Sequence, residues 1–256
     1  MNKIKQVLIA VVGLMATNAI AQQDPHYSFF NFQMNVINPA YAGAHDKTDI
    51  VLGVRSQWSG VSGSPETQSI IFGTPLGKNL GIGASILNDK TFVETQTWVA
   101  IDFSYKLQLN EKLNLFLGLK ASANNYNINS DGLLTYGIGQ DGSLMDYQSR
   151  FSPNVGICAY LKADKYYVSL SAPRILSNQR LDQQNGIAAL NKGRQHIYLA
   201  AGYNIILNSS IDLQLSSIYR YVASAPSSLD IQALFGLGKY FSLGANYRID
   251  TAIGGL

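Results

Sequence analysis

The sequence predicts an all-β chain, specifically a transmembrane antiparallel up-and-down β-barrel of the bacterial outer membrane. Three observations predict it. Residues 97–109, TWVAIDFSYKLQL, alternate, with Val99, Ile101, Phe103, Tyr105, Leu107 and Leu109 in one phase and Ala100, Asp102, Ser104, Lys106 and Gln108 in the other. Successive strand side chains point to opposite faces, so this is a strand with one apolar and one polar face. The pattern recurs along most of the chain, behind an N-terminus that reads as an export signal. The composition agrees: 14% charged residues, 15 Tyr against 10 Phe, and 23 Gly in 256 residues. A neutral outer band, interfacial aromatics and small residues at bends need that balance.

The first 21 residues are expected to be a cleaved signal peptide. Asn2, Lys3 and Lys5 make a basic start, Val7 to Ala16 an apolar core, and Ala19-Ile20-Ala21 an A-x-A cleavage site. The apolar run is too short for a spanning helix, and no cysteine near it offers a lipid attachment point. The mature chain is expected to begin at Gln22. Loss of Lys3 and Lys5 takes the formal charge from +3 to +1, and no Lys/Arg block forms a nucleic-acid footprint. The single cysteine, Cys158, excludes an internal disulfide and two-cysteine metal or redox motifs, and reads as a small packing residue.

Residues 22–46 hold Pro25, Pro39 and several aromatics without clean alternation, and are expected to form an ordered segment packed at or inside the periplasmic mouth. Residues 47–256 are expected to be the barrel domain. Its strands read, in order, 48–57, 65–75, 80–88, 95–109, 113–126, 150–162, 165–172, 194–207, 210–222, 228–237 and 239–250. Tight turns are expected at Gly77-Lys78-Asn79, Asn110-Glu111-Lys112, Ala163-Asp164 and Asn208-Ser209, with a short loop at 89–94. Two long polar excursions, 128–149 and 173–193, fall on the opposite side, the asymmetry expected of an outer-membrane barrel. About eleven strands are visible. An open edge in hydrocarbon leaves unpaired backbone groups at several kcal/mol each, so twelve to fourteen strands are expected in the intact barrel, with C-terminal strands missing after Thr251.

The chemistry-bearing residues are sparse. His26, His45 and His196 are the only histidines, and no H-E-x-x-H, G-x-S-x-G, P-loop or dinucleotide fingerprint is present. His196 beside Tyr198 reads as a lumen or interfacial residue rather than a general base. Asp24 with His26, and His45 with Asp46, read as loop polarity rather than metal ligands. No cofactor is expected, and the chain is expected not to be an enzyme. Asp102, Asp212, Asp230 and Asp250 lie in the polar phase with Lys106, Lys120, Arg220 and Arg248. They are expected to face the lumen, either pairing across it or lining a channel.

Q-D-P-H-Y-S at 23–28 and N-P-A-Y-A-G at 38–43 resemble the N-terminal hallmark of the PorP/SprF family. R-S-Q-W-S-G at 55–60, F-S-P-N-V-G-I at 151–157, Y-Y-V-S-L-S-A-P at 166–173, R-Q-H-I-Y-L-A-A-G-Y at 194–203 and Leu243–Arg248 extend the resemblance over nearly the whole mature chain. Members of that family are usually longer, which fits the missing closure. The resemblance implies an outer-membrane component of type IX secretion and gliding machinery. Such a component docks and helps export or display an adhesin-like surface protein and contacts periplasmic machinery. Asp24, Pro25, Tyr27, Asn38, Pro39, Tyr41 and Gly43 are the candidate partner-binding residues. The alternative is an outer-membrane channel of the porin type or a transporter of small hydrophobic substrates. An outer-membrane hydrolase ranks behind both, because no nucleophile and base are visibly paired.

Overall fold

A computed structural model describes residues 30–58, 60–128, 150–176, 179–184, 187–192, 195–223, 226–238 and 240–251. Thirteen strands are present among them: β1 Asp49–Ser56, β2 Glu66–Leu76, β3 Leu80–Thr91, β4 Glu94–Gln108, β5 Leu113–Ile128, β6 Arg150–Ala163, β7 Tyr166–Ala172, β8 Gln179–Gln184, β9 Ile187–Lys192, β10 His196–Ile206, β11 Ile211–Val222, β12 Ser227–Leu237 and β13 Phe241–Thr251. Eleven of them form one antiparallel sheet in the order β1-β2-β3-β4-β5-β6-β7-β10-β11-β12-β13. Each strand pairs with its neighbour in the chain, apart from the step from β7 to β10. β1 and β13 are the edges of this sheet and are not paired with each other.

The eleven sheet strands are the eleven read from alternation, with two differences of detail. The loop expected at 89–94 is a hairpin turn: pairing runs on to Thr91 opposite Glu94, leaving Phe92 and Val93 at the tip, with Phe92 at φ 53°. The polar excursion 173–193 contains a small hairpin of its own, β8 paired with β9. Six-residue strands, one with a single apolar residue (Leu181) and the other with its four apolar residues bunched at 187–190, leave little period-two alternation to read. The excursion at 128–149 lies outside the described residues, except that Ile128 completes β5.

The wall is inverted relative to a water-soluble β-domain. In β4, Val99, Ile101 and Phe103 are about half exposed, whereas Asp102 between them is fully buried. Across the sheet the same division holds. Leu52, Ile70, Leu119, Leu170, Leu199 and Ile231 are exposed, while Ser69, Ser85, Lys120, Ser169, Ser216 and Gln232 are buried. Contiguous apolar surface of this extent marks contact with a partner or a membrane, and alternation of apolar-out with polar-in is the pattern of a transmembrane strand. Strands of 11 to 16 residues in β2 to β5 meet or exceed the length needed to cross a bilayer. None of the described helices is long and apolar enough to cross a membrane, so the crossing falls to the strands.

What fills the inside is the chain's own N-terminal segment. A 3-10 turn (Phe30–Gln33), a single α-helical turn (Met34–Ile37) and a second 3-10 turn (Pro39–Tyr41) lie against the polar face of the sheet. Gln33 reaches Gly53 in β1, Asn35 reaches Phe72 in β2, Asn38 reaches β6 and β7, and Asn31 reaches Ser216 in β11. One short segment touches both the edge strand β1 and β11, two strands from the opposite edge, only because the sheet rolls around it. Phe30, Met34, Ile37, Ala40 and Ala44 pack there with Phe116, Tyr160, Tyr167, Tyr198 and Ile218 into one apolar core.

Candidate functional site

The interior of the rolled sheet is built by a track of small wall residues and a few polar latches. Gly43 adopts φ +77°, a backbone region that favours glycine, and a Cβ there would stand 2.6 Å from the Gly81 Cα in β3. A Cβ on Gly118 in β5 would stand 2.6 Å from the Ala40 Cα. Gly81 and Gly118 lie in the inward phase of their strands, where a side chain would displace the plug. Cys158 belongs to the same track, its Sγ accepting from the Ala40 N–H at 3.1 Å. It serves as a small packing residue against the plug.

Asn38 is the main latch. Fully buried, it donates from Nδ2 to the Ala159 carbonyl at 3.0 Å and to Ser169 Oγ at 2.7 Å, and its Oδ1 accepts from the Ala40 N–H at 2.8 Å. The last bond caps the 3-10 turn that Pro39 starts, with φ already set by its ring. A charged latch lies deeper. Lys120 sits opposite Asp102 in the β4–β5 register, its Nζ 2.7 Å from Asp102 Oδ1, and it donates at 3.2 Å to the Asn35 carbonyl of the plug. In a site this dry the pair persists because each charge satisfies the other, and the spare ammonium proton satisfies the plug backbone. Arg248 clasps Asp230 in the same way across β12 and β13, through Nε and Nη2 at 2.6 and 2.7 Å. The expectation that lumen-phase charges pair thus holds for these two pairs. Side-chain placement of Asp250 lies outside the described residues.

At the end carrying the short turns, where the segment enters β1, the plug closes less completely. Tyr41 OH lies 2.8 Å from His45 Nε2, and His45 Nδ1 lies 2.5 Å from Asp49 Oδ2. With the Nδ1 proton given to the carboxylate, Nε2 is left to accept from the phenol. Burial, reinforced by the Asp49 carboxylate, pushes the Tyr41 phenol well above its ordinary value. Its ring meets Tyr160 edge-on at 5.4 Å, and Lys162 donates to the Ala44 carbonyl at 2.7 Å. Between this corner of the plug and β6, β7, β10 and β11 lies a cavity of about 330 Å³. Phe32, Met34 and Tyr160 supply apolar wall, and Lys162, Lys165 and Asn204 supply polar wall. A second cavity, about 60 Å³, lies against the plug near Ile37, Trp98 and Pro173.

Of the seven residues singled out from sequence, Asn38, Pro39, Tyr41 and Gly43 come together in one tight turn of the plug. Asn38 and Pro39 are fully buried against the wall, and Tyr41 and Gly43 are half-buried. Asp24, Pro25 and Tyr27 lie outside the described residues. His196 is buried on the lumen face of β10, its Nδ1 3.2 Å from Tyr198 OH. Among the described residues no group of three or more His, Cys, Asp or Glu side chains is placed to hold a metal ion. Sequence reasoning missed the tyrosine cluster of Tyr160 and Tyr167 and the role of the inward glycines. A glycine standing in the polar phase of an otherwise regular strand was the available signal.

An apolar outer wall and a polar inner wall filled by the N-terminal segment define a membrane β-barrel type of protein. The family model for the type IX secretion system membrane protein PorP/SprF matches residues 19–256, and the chain belongs to that family. It is therefore a membrane component of type IX secretion. No curated protein and no solved structure matches the chain significantly.

Proposed function

We propose that this chain is a non-enzymatic outer-membrane dock of the type IX secretion and gliding machinery, helping to export or display a surface protein. The supporting observation is that the lumen is occupied by the chain's own segment, latched by Asn38 and by the Asp102–Lys120 pair. A barrel whose bore is filled offers its ends rather than its middle. At the short-turn end, taken as periplasmic, the segment 22–46 presents a surface to the secretion machinery. In this reading Asp24, Pro25, Tyr27, Tyr41 and Gly43 serve contact, while Asn38 and Pro39 hold the segment in place. At the other end, the excursions 128–149 and 173–193 serve the adhesin-like cargo. Residues 1–21 direct export and are removed, leaving residues 47–256 as the barrel in the outer-membrane lipid.

The open-channel alternative requires a continuous water path, and residues as fully buried as Phe30, Met34 and Asn38 stand across it. Deleting the gene should remove one protein from the cell surface while permeability to small solutes stays normal. Unchanged secretion and motility in that strain would refute the dock. Steady conductance of the purified full-length protein in planar bilayers would favour the channel.

A further inference from the structure

We propose that the 330 Å³ cavity at the short-turn mouth is a binding site for an uncharged saccharide. The proposal deepens the docking reading above and rests on it only for the side of the membrane that the mouth faces. The ligand class follows from the groups that the cavity walls offer. Charge comes first. Lys162 and Lys165 line the cavity together with Asp164, His45 is engaged by Asp49, and Asp46 and Asp49 both attract Lys162. Acids and ammonium groups offset one another, so neither an anion nor a cation meets a field that selects it. Hydrogen bonding comes second. Asn204 and Gln214 are opposite each other in the β10–β11 register, in the inward phase of both strands, and both line the cavity. Among the described residues neither side-chain amide has a hydrogen-bond partner, and Asn204 Oδ1 is shut off from water as well. Rotation about χ2, a soft torsion, turns that amide toward the cavity. A hydrocarbon ligand would cover both amides and leave them unpaired, so the ligand carries donors and acceptors of its own.

An apolar face comes third. Phe32 lines the cavity from the plug and is 47% exposed, although it belongs to the interior segment and not to the outward phase of any strand. Lipid contact therefore does not explain this ring. A neutral ligand with polar edges and one apolar face is a pyranose. Its C–H groups rest on the electron-rich face of an aromatic ring, and its vicinal hydroxyls pair with the oxygen and nitrogen of one side-chain amide. An uncharged peptide must freeze a backbone and a side chain to present the same two features, whereas the sugar ring holds them fixed already. The floor is fixed too: Tyr167 OH donates to Asn31 Oδ1 at 2.8 Å, and Asn31 Nδ2 donates to Ser216 Oγ at 2.6 Å. The volume, at the lower end of small-ligand pockets, has room for a short saccharide and too little for a folded domain.

The test uses the full-length protein in a detergent without a sugar headgroup. Calorimetric titrations compare chitotriose, mannotriose, trigalacturonate and the uncharged peptide acetyl-Ala-Gly-Phe-amide. Chitotriose or mannotriose should bind saturably, with an affinity that changes less than about twofold from low to high salt, as a neutral ligand requires. Gln214→Leu, which removes an amide that the fold does not use, should weaken sugar binding about tenfold. Phe32→Ala should weaken it by a similar factor through loss of the stacking face. Preference for chitotriose would assign the sugar to a glycan strand of the cell wall, and preference for mannotriose to a glycan carried by a protein at the mouth; both uphold the site. Tighter binding of trigalacturonate or of the peptide overturns the proposal. So does unaltered sugar affinity in Gln214→Leu, or a Kd weaker than about 10 mM for both sugars. Sugar binding in vitro combined with a deletion strain of normal secretion would retain the site and reject its place in docking.

Discussion

Ile101 and Asp102 are neighbours in one strand, yet one is 48% exposed and the other fully buried. The outer face carries Ile101 with Val99 and Phe103 and needs only to be apolar, because lipid accepts any hydrocarbon shape. The inner face carries Asp102, Ser104 and Lys106, and from Asp102 to Ser104 it must fit a particular backbone: Ser104 donates to the Ala42 carbonyl, and Lys120 holds both Asp102 and Asn35. Tolerance should therefore differ sharply between faces a single residue apart. Outside, polarity decides; inside, shape and pairing decide.

The largest effect should come from breaking the buried pair. Lys120→Met leaves Asp102 without its counter-ion and should cost about 3–5 kcal/mol, read as a lower urea midpoint of the detergent-folded protein. Adding Asp102→Asn should restore part of the loss. If the single variant melts like the parent, the inner face is wetter than its burial implies. A charge on the outer face comes next: Ile101→Arg should cost about 2–4 kcal/mol in a bilayer, whereas Ile101→Leu should be silent in the same vesicle-refolding assay. Gly118→Ala presses a methyl on Ala40 and should cost about 1–3 kcal/mol by overpacking. Because it lifts the plug, it should also raise conductance, which Ile101→Arg should not. Asn38→Ala, which deletes three hydrogen bonds, should cost about 1–3 kcal/mol. Faster proteolysis of the N-terminal segment should accompany it.

The smallest effect concerns Tyr41. Its folded value lies above the ordinary 10.0, so the folded state holds this proton longer than the unfolded chain does. The contribution to stability is complete below pH 10 and declines as pH climbs toward the folded value. In an alkaline unfolding series, Tyr41→Phe should flatten that decline, and the tyrosinate absorbance of the parent should lack one early-titrating phenol. An unchanged slope would place Tyr41 in contact with water.

Much of the wall was legible because strand periodicity is local. Whether Val99 and Asp102 face opposite ways depends only on their positions in one strand, and the tight turns then fix the pairing by reflection. A turn centred on Glu111 carries Asp102 onto Lys120, the register that is observed. The hairpin within 173–193 was not legible, since QRLDQQ holds one apolar residue and IAALNK bunches its four without alternation. The N-P-A-Y-A-G turn stood out as a motif, but its contacts did not.

The sequence by itself determined an inverted β-wall, its strand order and which charges share its polar phase, since alternation and turn chemistry act between near neighbours. Only the tertiary structure decided that Phe30–Ala44 fills the bore, that Gly43 meets Gly81 and Ala40 meets Gly118, and that a pocket is left at the mouth. Those contacts join residues far apart in the chain. They depend on how tightly the sheet rolls, a property of eleven strands together that no single strand records.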